Sequence, residues 1–272
     1  MVLLLLLWVG VAVAQDAERG AYLAAVAGCV SCHTGPDGPR WAGGYALETD
    51  FGTFYGTNLT QDPDHGLGAW TEADFLRAMR RGRSPQGRPY YPSFPYPSYT
   101  GMTEEDLRDL WAFLETLEPL AVPNRDHEVR GLYGWRFLLR FWKLFEFRRG
   151  PFDAASEDPV LARGAYLVDA VGHCGECHTP RNGIGGLRPR HYLAGSDAAP
   201  APSPNITPHP DGVEGWGEGD WRMLLEIGML PDGDFVGQQM GDIVDEGTSR
   251  LTPKDQEAMI RWLLAVEPRP TP

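Results

Sequence analysis

The sequence predicts a mainly α protein of two tandem domains, in which long loops wrap a buried apolar group. Three observations predict it. The chain repeats itself, with matching segments at the start, middle and end of each half. Each half closes on an apolar pattern of helical spacing, and no sustained strand alternation competes with it. The 272 residues include 33 Gly and 24 Pro. Loops as long as that composition implies need something to wrap.

The first fourteen residues are apolar and uncharged. Ala12-Val13-Ala14 fits the small-x-small cleavage rule, so a signal peptide over 1–14 with Gln15 as mature start is expected, although no Lys or Arg follows Met1. The run is shorter than the roughly 20 residues of a spanning helix. The expected order is then a first domain over 15–118, a basic aromatic linker over 119–156 and a second domain over 157–268, each domain of ordinary size.

Both domains open alike. Arg19-Gly20-Ala21-Tyr22-Leu23 in the first matches Arg163-Gly164-Ala165-Tyr166-Leu167 in the second. Later, Asn58-Leu59-Thr60 matches Asn205-Ile206-Thr207, and Trp70 and Trp216 each precede an Asp-aromatic pair, Asp74-Phe75 and Asp220-Trp221. The closing helices are expected from Thr103 to Leu117 and from Thr252 to Val266. Each has a Thr N-cap and acidic or Pro residues in its first turn, and each stops before Glu-Pro.

The four cysteines form two CxxC pairs, and each pair is followed at once by a histidine: Cys29, Cys32 and His33, then Cys174, Cys177 and His178. CxxCH is the attachment signature of c-type haem. Its spacing follows from the chemistry: two thiols bond the vinyl groups on one porphyrin edge, and the next residue places an imidazole on the iron. Two disulfides, a zinc site or a redox dithiol could also use such cysteines. None of them requires a histidine after the second cysteine in both pairs. Two covalently bound haem c groups are therefore expected.

The sixth iron ligand sets the role of such a site, because methionine raises the potential and closes it to small molecules. In the first half the candidates are Met79, within a helix starting near Thr71, and Met102, after the aromatic loop 90–101. Met102 is favoured because a loop can drape a side chain over the group. In the second half Met223 and Met259 look like core. Met240, in the expected flexible loop Gly237-Gln238-Gln239-Met240-Gly241, is favoured over Met229. Met240 stands eleven residues upstream of Leu251, the position that matches Met102, so the two irons are expected to differ in potential. His65, His127, His173, His191 and His209 are read as surface or hydrogen-bonding residues.

With these motifs in place, both halves resemble class I cytochrome c domains. The whole mature chain resembles diheme c-type cytochromes related to the cytochrome subunits of bacterial periplasmic alcohol and gluconate dehydrogenases. The two CxxCHT sites carry the resemblance, with Asn58-Leu59-Thr60, Asn205-Ile206-Thr207, the segment Gly66-Leu67-Gly68-Ala69-Trp70-Thr71 and the Phe94-Pro95-Tyr96 loop. It implies His33 and His178 as proximal ligands and tryptophans that hydrogen-bond haem propionates. Many such subunits carry three haems and a C-terminal anchor, whereas this chain has two motifs.

Twenty-four Lys and Arg stand against 37 Asp and Glu, a net charge of −13. That balance argues against nucleic acid, which is bound by cations that displace phosphate counterions. It favours redox partners with a basic face. The function expected is a periplasmic carrier, with no catalytic residues of its own. It takes electrons from a dehydrogenase or quinol-linked complex and passes them to an oxidase or small cytochrome. The alternative is a peroxidase-like diheme enzyme with a displaceable ligand. Arg130 to Arg149 holds six Arg or Lys and one Glu, with aromatic residues between them. It suits a helix wedged between the domains, or peripheral membrane contact through residues 130–149.

Overall fold

In the computed structural model, residues 15–153, 156–198 and 202–272 are described, so the expected leader over 1–14 lies outside the described residues. The first half is built from α1 (Ala17–Val26), α2 (Cys29–Cys32), β1 (Ala46–Thr49), β2 (Gly52–Tyr55), α3 (Glu72–Arg81), α4 (Tyr96–Tyr99) and α5 (Glu104–Leu114). After β3 (Glu128–Val129) and two 3-10 turns comes α6 (Leu139–Glu146). The second half has α7 (Pro159–Tyr166), continued by a π turn to Val171, then α8 (Gly175–His178), α9 (Glu218–Ile227), α10 (Gln238–Glu246) and α11 (Pro253–Ala265).

The helix ends follow local chemistry. Thr71 starts α3 through a capping box with Asp74. Thr103 and Thr252 cap α5 and α11 by accepting the amides of Asp106 and Asp255 at 3.0 and 3.2 Å. In each half the first helix crosses the last at a glycine. A Cβ on Gly20 would stand 1.9 Å from the Asp109 carbonyl oxygen, and one on Gly164 would stand 2.0 Å from that of Ala258. This is why the Arg-Gly-Ala-Tyr-Leu motif carries glycine at that position in both halves.

The two halves share one apolar core. Leu23, Val26, Leu107, Leu110 and Trp111 from the first are continuous with Leu167, Val171, Ile260 and Leu263 from the second. Their polar seam is reciprocal. Arg163 grips Asp255 at 2.8 and 2.7 Å, and Tyr22 of the other half donates to the same carboxylate. Arg19 binds Asp106, and Tyr166 of the second half donates to it.

Two expectations are corrected. A small antiparallel sheet, β1-β2-β3, occupies a stretch expected to carry no strands. The segment around Met240 is helix α10 rather than a flexible loop, because Gly237 in extended conformation serves as its N-cap. The linker helix α6 touches both halves, through Lys143 at Arg81 and Gly82 of the first and through Glu146 at Asn182 of the second, and leaves one face uncovered. Leu139 is buried and Trp142 and Phe147 are half-buried against the body, while Phe141, Leu144 and Phe145 face solvent.

Candidate functional site

The two CxxCH segments fold alike. Cys29 and Cys32 bracket one turn of α2, and Cys174 and Cys177 bracket the turn that leads through α8 to His178. The amides of His33 and His178 bond back to the carbonyls of Cys29 and Cys174, both at 3.0 Å. One turn therefore presents two thiols and an imidazole together in each half.

Each imidazole is aimed by a backbone carbonyl. His33 Nδ1–H donates to Thr57 O at 2.6 Å, and His178 Nδ1–H donates to Pro204 O at 2.8 Å. Those carbonyls stand immediately before Asn58 and Asn205, whose side chains lock the following turn. Asn58 Oδ1 accepts from the Thr60 amide and hydroxyl, and Asn205 Oδ1 accepts from the same groups of Thr207. Their Nδ2 atoms reach the chain beyond the final helix, at Leu120 O and Arg269 O. The Asn-x-Thr repeat thus fixes the carbonyl that orients the histidine.

The threonine after each histidine has the same use. Thr34 Oγ1 accepts the amide of Trp41, and Thr179 Oγ1 accepts that of Leu193. Trp41 and Leu193 both sit at positive φ, 69° and 58°, a region that side chains rarely adopt. The next turn of chain returns to the motif, where Gly43 and Gly195 donate to the carbonyls of His33 and His178, each at 2.9 Å. The sequence marked CxxCHT as a repeat but gave no sign of the Trp41 and Leu193 turns, because the two residues are chemically unlike.

All four cysteines are free thiols, and among the described residues no three His, Cys, Asp or Glu side chains converge on a metal. Burial pushes Cys29 and Cys174 up to about 12 and Cys32 to about 11. Burial also lowers the basicity of His33 and His178, against the opposing pull of their carbonyl partners. The thiols are therefore held as neutral, unpaired sulfurs and the imidazoles as neutral rings, with Nε2 available to a metal. This donor set fits one covalent haem at each motif.

The two motifs lie close together. The Cys177 thiol and the Asp242 carboxylate of α10 both act on Cys32, after burial itself. Between the motifs runs the segment Ser98-Tyr99. Tyr99 is buried beside Cys29 and Cys32, and its ring meets His173 edge-on at 5.4 Å. Ser98 Oγ donates to Glu176 at 3.1 Å, and His173 Nε2 donates to Ala27 O at 3.2 Å. His173 is thus spent on the contact between halves, as its position beside Cys174 suggests. A cavity of about 330 Å³ flanks the second motif, lined by Gly101, Phe152, Asp169, Thr179 and Tyr192 among others.

Met102 is 1 % exposed in the shared core, against which Cys29 also packs. Its amide donates to Tyr99 O at 3.0 Å. Met240 is half-buried on α10, a helix that packs against α2 of the first half as well as α9 of the second. Met79 and Met259 are buried on helices, as expected of core residues.

The cytochrome c family model matches residues 17–118. A diheme c-type cytochrome of Cereibacter sphaeroides is 43 % identical over 263 residues, which cover 92 % of this chain and 86 % of the relative. The gluconate 2-dehydrogenase cytochrome c subunit of Pantoea cypripedii is 37 % identical over 92 % of this chain and 60 % of its own length. The cytochrome c subunit of a quinone-type alcohol dehydrogenase from Gluconacetobacter polyoxogenes is 36 % identical over 93 % of this chain and 56 % of its own length. The chain therefore spans little more than half the length of these dehydrogenase subunits.

Proposed function

Because the chain belongs to the diheme c-type cytochromes, we propose that it holds two haems and passes electrons in the periplasm from a dehydrogenase to a downstream oxidase or small cytochrome. Its role is electron transfer on covalently bound haem, without bond chemistry of its own. The finer assignments are ours. Cys29 and Cys32 in domain 15–118, and Cys174 and Cys177 in domain 157–268, would each bond one haem. His33 and Met102 would ligate the iron of the first haem, and His178 and Met240 that of the second. The bound iron supplies a one-electron exchange between ferric and ferrous states.

The observation that carries this reading is the paired geometry at His33 and His178. Each ring is locked by a carbonyl on Nδ1 and stands one residue beyond a pair of unpaired thiols. The rest of the chain holds rather than reacts. Tyr99 fills the space between the motifs, and the shared core keeps their spacing fixed. A rigid frame keeps the rearrangement that accompanies electron transfer small. The relatives that serve alcohol and gluconate dehydrogenases support a dehydrogenase donor.

The test mixes the purified haem-loaded protein with a periplasmic alcohol or sugar dehydrogenase and its substrate, and follows the haem absorbance. The expected result is reduction of both haems only when dehydrogenase and substrate are present, followed by reoxidation on adding a small oxidised cytochrome. Rapid peroxide turnover by the reduced protein, with no reduction by any such dehydrogenase, would show a diheme peroxidase instead.

A further inference from the structure

Residues 131–149 leave an apolar strip uncovered. Leu144 is 75 % exposed and Phe145 74 %, with Trp135, Phe137 and Phe141 each more than half exposed beside them. The Trp135 and Phe137 rings stack at 6.0 Å, so the strip begins on the 3-10 turns before α6 and continues along that helix. The helix is pinned from its inner side. Lys143 Nζ donates to the carbonyls of Arg81 and Gly82 at 2.6 and 2.7 Å, closing the C-terminus of α3, and Glu146 accepts from Asn182 at 3.1 Å. The outward aromatic face is therefore a fixed feature of the fold. Contiguous exposed apolar surface on this scale marks an interaction site.

Its surroundings are cationic. None of the six Arg and Lys of residues 130–149 makes an ion pair among the described residues. Arg149, Lys143 and Phe147 line an open cleft with Arg77, Arg81 and Arg83, and no carboxylate lines it. Of these, Arg77 pairs with Asp74, while Arg81, Arg83 and Arg149 have no carboxylate partner among the described residues. This concentration of positive charge stands out from a chain of net charge −13.

We propose that this strip and cleft dock the protein onto a bilayer carrying anionic phospholipid headgroups. Phe141, Leu144, Phe145 and Trp135 would enter the interfacial region, while Arg81, Arg83 and Arg149 meet headgroup phosphates. Aromatic and leucine side chains on one face with Arg and Lys at its edge are the pattern of a helix lying in the membrane plane. A lipid surface also needs no matching contour, which suits a ridge of side chains projecting into solvent. The acidic remainder of the molecule is repelled by anionic lipid, so the contact would set one orientation, with α6 toward the membrane.

Haem-loaded protein is sedimented with vesicles of phosphatidylcholine containing phosphatidylglycerol, and with vesicles of phosphatidylcholine alone. The variants are Phe141→Ser/Leu144→Ser/Phe145→Ser and Arg81→Gln/Arg83→Gln/Arg149→Gln. All samples share one N terminus, so any anchoring by residues 1–14 cancels between them. Haem absorbance is recorded for each, so a failure of the haem reading is seen separately from a failure of binding. The expected result is binding to the anionic vesicles, weakened about a hundredfold in the arginine variant from the loss of three cations. A comparable loss is expected in the apolar variant, with weak binding to neutral vesicles. Binding that is absent, or equal in wild type and both variants, overturns the proposal. So does a wild type that ignores vesicles while both variants lose reduction by the dehydrogenase, which would make the strip a protein interface.

Discussion

Tyr22 of the first half hydrogen-bonds Asp255 of the second at 2.7 Å, although the two residues lie 233 positions apart in the chain. Asp255 occupies the third position of its helix, where its amide is bonded to Thr252. Its carboxylate takes both Arg163 and the foreign tyrosine. Tyr166 and Asp106 repeat the exchange in the opposite direction. The halves are thus tied by an interchange of equivalent tyrosines, and the tie sits on the first and last helices of each half, α1 with α5 and α7 with α11.

Tyr22→Phe removes one bond to a charged acceptor and leaves the Arg163 pair in place. A loss of about 1.5 kcal/mol is expected, at the low end for hydrogen bonds to ions. Because the exchange is reciprocal, Tyr166→Phe is expected to weaken the same interface, and the double variant to lose at least the sum. Denaturant unfolding of the haem-loaded protein measures all three. No change in any of them would show that the tie does not hold the halves together.

The crossing of first and last helices leaves no room at Gly20 or Gly164. Gly20→Ala must push α1 off α5, because the obstacle is backbone rather than a flexible side-chain end. About 1–3 kcal/mol of destabilisation is expected, with a lower yield of haem-loaded protein. Gly219→Ala is the control. It sits in α9 with nothing within 4 Å of the added carbon, and it should be neutral or stabilising by about 0.5–1 kcal/mol.

The Asp255 tie also sets a dependence on pH. Burial opposes ionisation of Asp255, but the hydrogen bonds from Arg163 and Tyr22 outweigh it and hold the carboxyl below the usual carboxylate range. A depressed folded-state pKa gives stability that is present above the unfolded value of about 3.9 and is lost as pH falls through the folded one. Asp255→Asn should therefore cost stability at pH 7 and cost progressively less below about pH 4. Thermal melts across that range check it. A difference between wild type and variant that is constant with pH would contradict the assignment.

Met102 and Met240 are expected to act on separate irons. Met240→Ala should lower the potential of one haem and remove its methionine–iron charge-transfer band, with little loss of stability because the residue is half-buried. Met102→Ala should change the other haem and also cost about 2–5 kcal/mol, because it empties a core position. Redox titration and optical spectra of the two variants decide it. Unchanged spectra in either variant would remove that methionine from the ligand set.

The local features were legible in the sequence. Spacing alone marked both CxxCH segments, and Thr103 and Thr252 announced their helices by capping chemistry. Pairing across the halves was not legible. Nothing near Tyr22 indicates that its partner belongs to the other domain, because that choice is made by the shared core. The segment at Met240 resembles a loop by its flanking glycines, yet Gly237 caps a helix and α10 is held by packing against two neighbours. The α6 stretch shows apolar spacing, but periodicity cannot say whether the apolar face meets protein or solvent.

The central claim is that each half bears one porphyrin tied by sulfur. The most direct measurement is the intact mass of the protein exported from cells with working haem-attachment machinery, compared with that of a Cys174→Ala/Cys177→Ala variant. The account predicts a wild-type mass of polypeptide plus two haems and a variant mass of polypeptide plus one. A wild-type mass equal to the polypeptide alone, or one haem in both proteins, would contradict it.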